Sequence, residues 1–529
     1  MKNISLVLFL SVVLGGGWYV TNQLKQEKTA SIVTPQTPLL VAPSTRVNGI
    51  QTVELNDGDS YDMVASIVKR TIAGSEVKML AYNGLIPGPT LKVKKGAAIT
   101  INFTNNSDVP TTLHSHGVRL ENKYDGVPDA TQKAIPVGGT FTYKMKFPDE
   151  GVFWYHPHIR EDYAQELGLY GNYIVVSDDP NYWAQVNQEL PLDIDDILME
   201  NGKVASFGAV ADHALMGRFG NVMLVNGTDN YHMSVRQGEV VRFFITNTAN
   251  TRVFNLAIPG GKMKLVGGDN GRYERETFVD SVILGPSERA VVEVLFSKAG
   301  EYAIEHHTPK KTYTMGTITV NSAQVATSYA PQFLTQRTNK DTILGFDQFR
   351  SYFDKQDDKN LSFTVDLGGM GGSGGHMMSS GMMMRKDDAV MGSDNSQKIE
   401  WEDSMSMMNQ MASAKVIKWK IIDTATKKEN MDIDWKFKLG DKVKIKIFND
   451  PKSQHPMQHP FHIHGQRFLV LTTNGVKNEN LVWKDTTLIQ KGDTVEIVVD
   501  MENPGTWMAH CHIAEHLESG MMFNFEVVK

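Results

Sequence analysis

Cysteine is almost missing: Cys511 is the only one in 529 residues. A single thiol cannot close an internal disulfide, which leaves buried filler, a nucleophile or a metal ligand. A marked excess of either charge is also missing, with 53 Lys and Arg against 60 Asp and Glu. The formal net charge is −7 and no long Lys/Arg block occurs, so nucleic acid is a poor partner. Beyond the N-terminus no apolar run is long enough to cross a bilayer. At the N-terminus, Lys2 precedes an uncharged run from Ile4 to Val20, which reads as a signal peptide or N-terminal anchor over residues 1–28. That segment lacks an A-x-A cleavage site, a twin-arginine pair and a following cysteine, which leaves cleavage open and disfavours the Tat and lipoprotein routes. The expectation is an exported protein, periplasmic, cell-envelope or extracellular, that meets a membrane only through this segment. A nucleophile elbow is absent too, which removes Ser/His/Asp hydrolysis.

What is present begins with repetition. The length suggests three or four domains. Leu91–Asn105, Met233–Asn247 and Phe437–Asn449 resemble one another, each with a glycine nine residues before an asparagine: Gly96 and Asn105, Gly238 and Asn247, Gly440 and Asn449. A second element recurs at Phe141–His158, Ala290–His307 and Val495–His512, reading strand, turn, glycine, strand. Five residues after that glycine stand His156, Glu305 and His510. Two elements repeated in one order predict an all-β chain of three consecutive β-sandwiches. The boundaries fall at 47–180, 182–325 and 342–529, with a loop-like stretch around Tyr329–Asp341. An insert at 367–413, rich in Gly, Ser and Met, interrupts the third domain and reads as mobile or partly helical.

Ten of the 16 histidines form four clusters: His114 and His116; His156 and His158; His459, His462 and His464; His510, His512 and His516. Residues i and i+2 of a strand share a face and i+1 takes the other. Each His-x-His pair therefore offers two imidazoles to one side, and eight converging imidazoles suit three metals rather than one. Cys511 must point away from His510 and His512, and His459 away from His462 and His464. With His516 and Met521 in the following turn, they assemble two imidazoles, a thiolate and a thioether, the ligand set of a blue-copper electron-transfer centre. Zinc suits such ligands less well, because its structural sites favour several thiolates.

These clusters resemble the four copper motifs of the multicopper oxidases, over nearly the whole chain. The resemblance implies three cupredoxin-like Greek-key domains and four copper ions. It implies a type 1 copper on His459, Cys511, His516 and axial Met521, and a type 2 copper on His114 and His462. It assigns the type 3 pair to His116, His156 and His512 on one ion and His158, His464 and His510 on the other. It further implies one-electron oxidation of a substrate, reduction of O2 to water and a middle domain that holds no copper. Asp125, nine residues after His116, matches a cluster-proximal aspartate of bacterial members. Where many of those have a glutamate after the type 1 histidine, this chain has Leu517, flanked at a distance by Glu515 and Glu518.

The insert carries eleven methionines, at 370, 377, 378, 382, 383, 384, 391, 405, 407, 408 and 411, with His376 among them. Thioethers favour Cu(I) over hard ions. Such an insert resembles that of cuprous oxidases of bacterial copper tolerance, and so does Met457, two residues before His459. Met382, Met383, Met384, Met457 and His455 are the candidates for binding substrate Cu(I). Laccase-like oxidation of small phenols is the alternative, and a copper-sequestering envelope protein the non-enzymatic one. A monomer is expected.

Overall fold

The computed structural model describes residues 44–47, 49–368 and 397–529. The chain is all-β and three-domain, built from one two-sheet plan used three times. In each unit the strand that carries the repeated asparagine at or next to its end lies at the heart of one sheet. Ala98–Asn106, Val240–Asn247 and Lys442–Asn449 each pair parallel with an earlier strand on one side and antiparallel with a later one on the other. In the facing sheet the repeated glycine opens a strand: Gly151–His156, Gly300–His307 and Gly505–Cys511. Each of these pairs antiparallel on both sides. In each unit alternating apolar residues of both sheets are buried: Ile101 and Phe103 of one and Leu91 and Val93 of the other in the first unit, Ile445 and Ile447 of one and Phe523 and Phe525 of the other in the third.

The glycine–asparagine repeat has a physical cause. Gly96, Gly238 and Gly440 take φ of 81°, 88° and 91°, a turn that side chains avoid. Asn105, Asn247 and Asn449 are buried, and each side-chain amide donates to backbone carbonyls of a crossing loop. The amide closes the loop that a strand end would otherwise leave with unpaired carbonyls.

The stretch expected as a loop between the second and third units differs. It contains the short helices Ala330–Leu334 and Lys340–Phe346, followed by the 3-10 helix Asp347–Phe353. Phe333, Phe346 and Phe349 bury into apolar clusters of the neighbouring sheets, and that tertiary burial outweighs the weak local signal. The described end of the insert includes the helix Ser406–Met411. Its remainder, including Met382, Met383, Met384 and His376, lies outside the described residues, as do residues 1–28. Among the described residues no helix is long and apolar enough to cross a membrane.

Candidate metal centres

Strand parity separates two sets of donors. On the strand Gly505–Cys511, Cys511 turns to one side while His510 and, just beyond the strand, His512 turn to the other. The Cys511 Sγ lies 3.5 Å from His459 Nδ1 and 3.7 Å from His516 Nδ1, and those two nitrogens are 3.3 Å apart. All three residues are buried. Burial pushes the Cys511 thiol up, and burial together with His455 holds His459 down at about 3. Two neutral imidazoles and a thiol thus face one another with lone pairs and almost no protons to share. A soft cation that takes the thiolate resolves this. Met521 is fully buried beside them, its carbonyl accepting the Cys511 N–H at 3.1 Å.

The second set comes from two strand pairs, one in the first unit and one in the third. His114 stands opposite His156, and His462 opposite His510. The pairs meet face to face, with His116 stacked on His462 at 3.7 Å between ring centroids. Three donor groups form: His114, His116 and His462; His116, His156 and His512; His158, His464 and His510. Each of these rings but His158 and His512 has one nitrogen in a hydrogen bond. His114, His156, His462 and His510 bond through Nδ1 to the carbonyls of Asp125, Pro157, Asp485 and Cys511. His464 Nδ1 bonds to Asp125 Oδ2 at 2.9 Å, and His158 Nδ1 lies 3.2 Å from Glu161 Oε1. In His116 the held atom is Nε2 instead, 3.0 Å from Asp485 Oδ1.

The other nitrogens point inward. Those of His114, His116, His156, His158, His462 and His512 are buried without a hydrogen-bond partner, and His464 Nε2 faces His510 Nε2 at 3.0 Å, acceptor to acceptor. Each unpaired buried group costs about 1–3 kcal/mol, so the chain retains many such costs in one place. Burial, reinforced by neighbouring imidazoles, keeps His116, His156, His158, His462 and His510 neutral, the ligating form. The residues fit metal ions, and the mixture of imidazole triads with a thiolate fits copper.

Asp125 lies with His114 and His464. Burial alone would raise its carboxyl, yet His464 and His114 hold it well below the usual carboxylate range. Its role in contact is to orient those two rings. Leu517 packs apolarly against Val127 and Met508. The buried acids on that side include Glu515 and Glu161, with Asp162 and Glu166 near them. Burial, aided by Asp162, pushes Glu515 up to about 8, and Thr251 Oγ1 donates to it at 3.1 Å. Burial and the neighbouring Glu518 push Glu161 well up. Glu161 escaped sequence reasoning, although its place three residues after His158, as the first residue of the helix Glu161–Ala164, was a usable signal.

Two further residues were missed. Trp419 is fully buried and stacks on His516 at 4.1 Å, with His459 4.8 Å away on an edge. Asp485 carries no motif around it that marks a site. Of the candidates, Met457 is buried and His455 half-buried; His455, 6.3 Å from the Trp419 ring, is lowered to about 4 by desolvation and Lys491. In the middle unit, His306 accepts the Asn255 N–H and His307 pairs with Glu305, and neither enters a donor group among the described residues.

Repeated two-sheet units around a thiolate site and an imidazole cluster define a copper-dependent oxidoreductase. Residues 65–180, 183–328 and 400–529 each match a multicopper oxidase family model. The chain belongs to the multicopper oxidase family and is an oxidase that uses oxygen as acceptor and copper as cofactor. It is 27% identical over 464 residues to the multicopper oxidase mco of Staphylococcus aureus, spanning 86% of this chain and 85% of that one. It is 24% identical over 568 residues to copper resistance protein A of Escherichia coli, spanning 88% and 92%. The crystal structure of a multi-copper oxidase from Pseudomonas thermotolerans is similar with a TM-score of 0.65 and 25% identity, over 90% of this chain and all of that one.

Proposed function

We propose that this oxidase turns over Cu(I), joining four one-electron oxidations to the reduction of O2 to two waters with uptake of four protons. Four coppers serve it in this reading. His459, Cys511, His516 and Met521 hold the type 1 ion, His114 and His462 the type 2 ion, and the triads of His116, His156, His512 and of His158, His464, His510 the type 3 pair. Bound copper supplies one-electron acceptance at the thiolate and oxygen reduction at the cluster. The chain supplies the rest. Cys511 is bonded through its own backbone to His510 and His512, so the two centres are one residue apart. Asp125 fixes His114 and His464, and the buried strands exclude bulk water from the inward nitrogens. The domains run 47–180, 182–325 and 342–529, and residues 1–28 direct export to the cell envelope.

One observation carries the choice of Cu(I). The described end of the Met-rich insert is fastened beside the type 1 residues. Asn409 donates to Gly217 O at 2.9 Å and accepts from Met216 N at 2.9 Å, and Trp419 Nε1 donates to Ala214 O at 2.8 Å. Met405 and Met408 are half-buried on this segment, and Trp419 covers one face of the His516 ring. Similarity to copper resistance protein A supports the same reading. The test is oxygen uptake by copper-loaded protein with chelated Cu(I) and with a simple phenol, for the full chain and for a chain lacking residues 367–413. Fast uptake with Cu(I) that the deletion cuts, while phenol uptake holds or rises, supports the proposal. Preference for the phenol in the full chain, or equal loss of both activities on deletion, overturns it.

A further inference from the structure

We infer that Arg289, which belongs to the middle unit that supplies no ligand, is a positioning residue for the copper cluster between the other two units. The inference rests on the ligand assignment proposed above. His116 is the one ring of the cluster held through Nε2, and what holds it is Asp485 Oδ1 and Thr486 Oγ1, each at 3.0 Å. With the proton on Nε2, Nδ1 is the atom left to face the cluster. The same two residues reach a second ring: Thr486 Oγ1 lies 3.1 Å and the Asp485 carbonyl 2.9 Å from His462 Nδ1. The orientation of His116 therefore depends directly on where the Asp485 carboxylate sits, and that of His462 depends on it through Thr486, whose Oγ1 donates to Asp485 Oδ1 at 2.9 Å.

Arg289 sets that place. Its Nη1 donates to Asp485 Oδ1 at 2.7 Å and its Nη2 to Oδ2, a two-pronged grip that fixes the plane of the carboxylate. The guanidinium is itself anchored from two units. Nε donates to Val152 O of the first unit at 3.0 Å and Nη1 to Ser287 O of its own at 2.8 Å, while its backbone N–H donates to Asp269 Oδ1 at 2.8 Å. Both charged side chains are fully buried, so neither has water as a substitute partner. The first unit leaves room for the pair: Gly117, next to His116, has φ of 80°, and a Cβ there would land on the Asp485 carboxylate and 2.9 Å from Arg289 Nη2. Arg289, Asp485 and His116 thus form one relay of contacts through all three units.

The test uses the full copper-loaded chain and the variants Arg289→Gln, Arg289→Lys, Asp485→Asn and Arg289→Gln with Asp485→Asn. Each is dialysed against a graded copper chelator, and copper per chain and the blue absorption are read together. Outer-shell partners of metal ligands are worth about 10–100-fold in metal affinity. Arg289→Gln is expected to release cluster copper at about 10–100-fold lower chelator, with the blue band of the Cys511 site unchanged. Arg289→Lys, which keeps the charge but not the fork, falls between it and the native chain. The double variant is no weaker than the weaker single one, as residues acting in series require. Cluster copper held as firmly as in the native chain by both arginine variants overturns the inference. If Arg289→Gln does not fold, Arg289→Lys decides: loss confined to cluster copper sustains the inference, and no loss, or equal loss of cluster copper and blue band, overturns it. A native chain that takes up copper without a blue band instead sinks the ligand assignment and leaves the hydrogen-bond relay standing.

Discussion

At the scale of single residues, a sole thiol works here because a strand has two sides. Cys511 and its neighbours His510 and His512 serve different centres by parity alone, and no loop could keep that separation as firmly. Serine at this position offers a hard oxygen that stays protonated, so Cys511→Ser is expected to lose the blue absorption and all turnover. The thiol makes few other bonds, only an Ile513 N–H contact at 3.5 Å, so the apoprotein melting temperature should stay close to that of the native apoprotein. A blue or active variant would overturn the role assigned to Cys511. Leu517 teaches the complementary point. The acid expected after His516 is replaced by packing against Val127 and Met508, while Glu161, far away in sequence, brings a carboxyl to His158.

At the scale of elements, the helix Ser406–Met411 is too short to hold itself together, and its place depends on Asn409. Three bonds meet at that side chain, to Gly217, Met216 and Asp403. Asn409→Ala strands buried partners at about 1–3 kcal/mol, and the helix should detach before anything else does. The expected outcome is faster protease cutting within 397–413 and higher phenol oxidation with the blue band intact; unchanged proteolysis would show that other contacts hold the segment. The strand Gln188–Ile197 gives a pH signature. Burial pushes Asp193 from 3.8 to about 7, and the two bonds from Asn172 only partly offset this. A raised carboxyl stabilises fully below its unfolded value and ceases to do so as pH rises through its folded value. The native chain therefore loses this contribution between pH 3.8 and about 7. Asp193→Asn cannot ionise, so its melting temperature relative to the native chain should climb across that window; a constant difference would remove Asp193 from the account.

For the whole molecule, the cluster is the joint. The first and third units each contribute imidazoles to every triad, and the inward nitrogens have partners only when cations are bound. Binding that occurs only in the folded state stabilises by mass action. Removing copper with a chelator should lower the melting temperature, and restoring it should raise the value in proportion to the logarithm of free copper once sites are saturated. Calorimetry on apo and loaded protein checks this. Equal melting temperatures would mean that the cluster residues bear no metal-dependent load.

The repeated β plan, the four His-x-His pairs and the division of donors around Cys511 are legible in the amino-acid order alone. Those features are local: a period of two, a turn glycine and an asparagine nine residues on are written in adjacent residues. The three-unit fold also followed, because each repeat needs the same two sheets to bury its apolar face. Contacts between residues far apart in the chain were settled by packing instead. Arg289 meets Asp485 across 196 positions and His116 meets the same carboxylate across 369, while within the third unit Trp419, on the strand Lys418–Asp423, reaches His516 on the helix Ala514–Glu518. No short-range pattern marks such partners, since an arginine or aspartate in a strand has no spacing that says what it will face. The helices at Ala330–Phe346 belong with them, fixed by where their phenylalanines could be buried rather than by their own propensity.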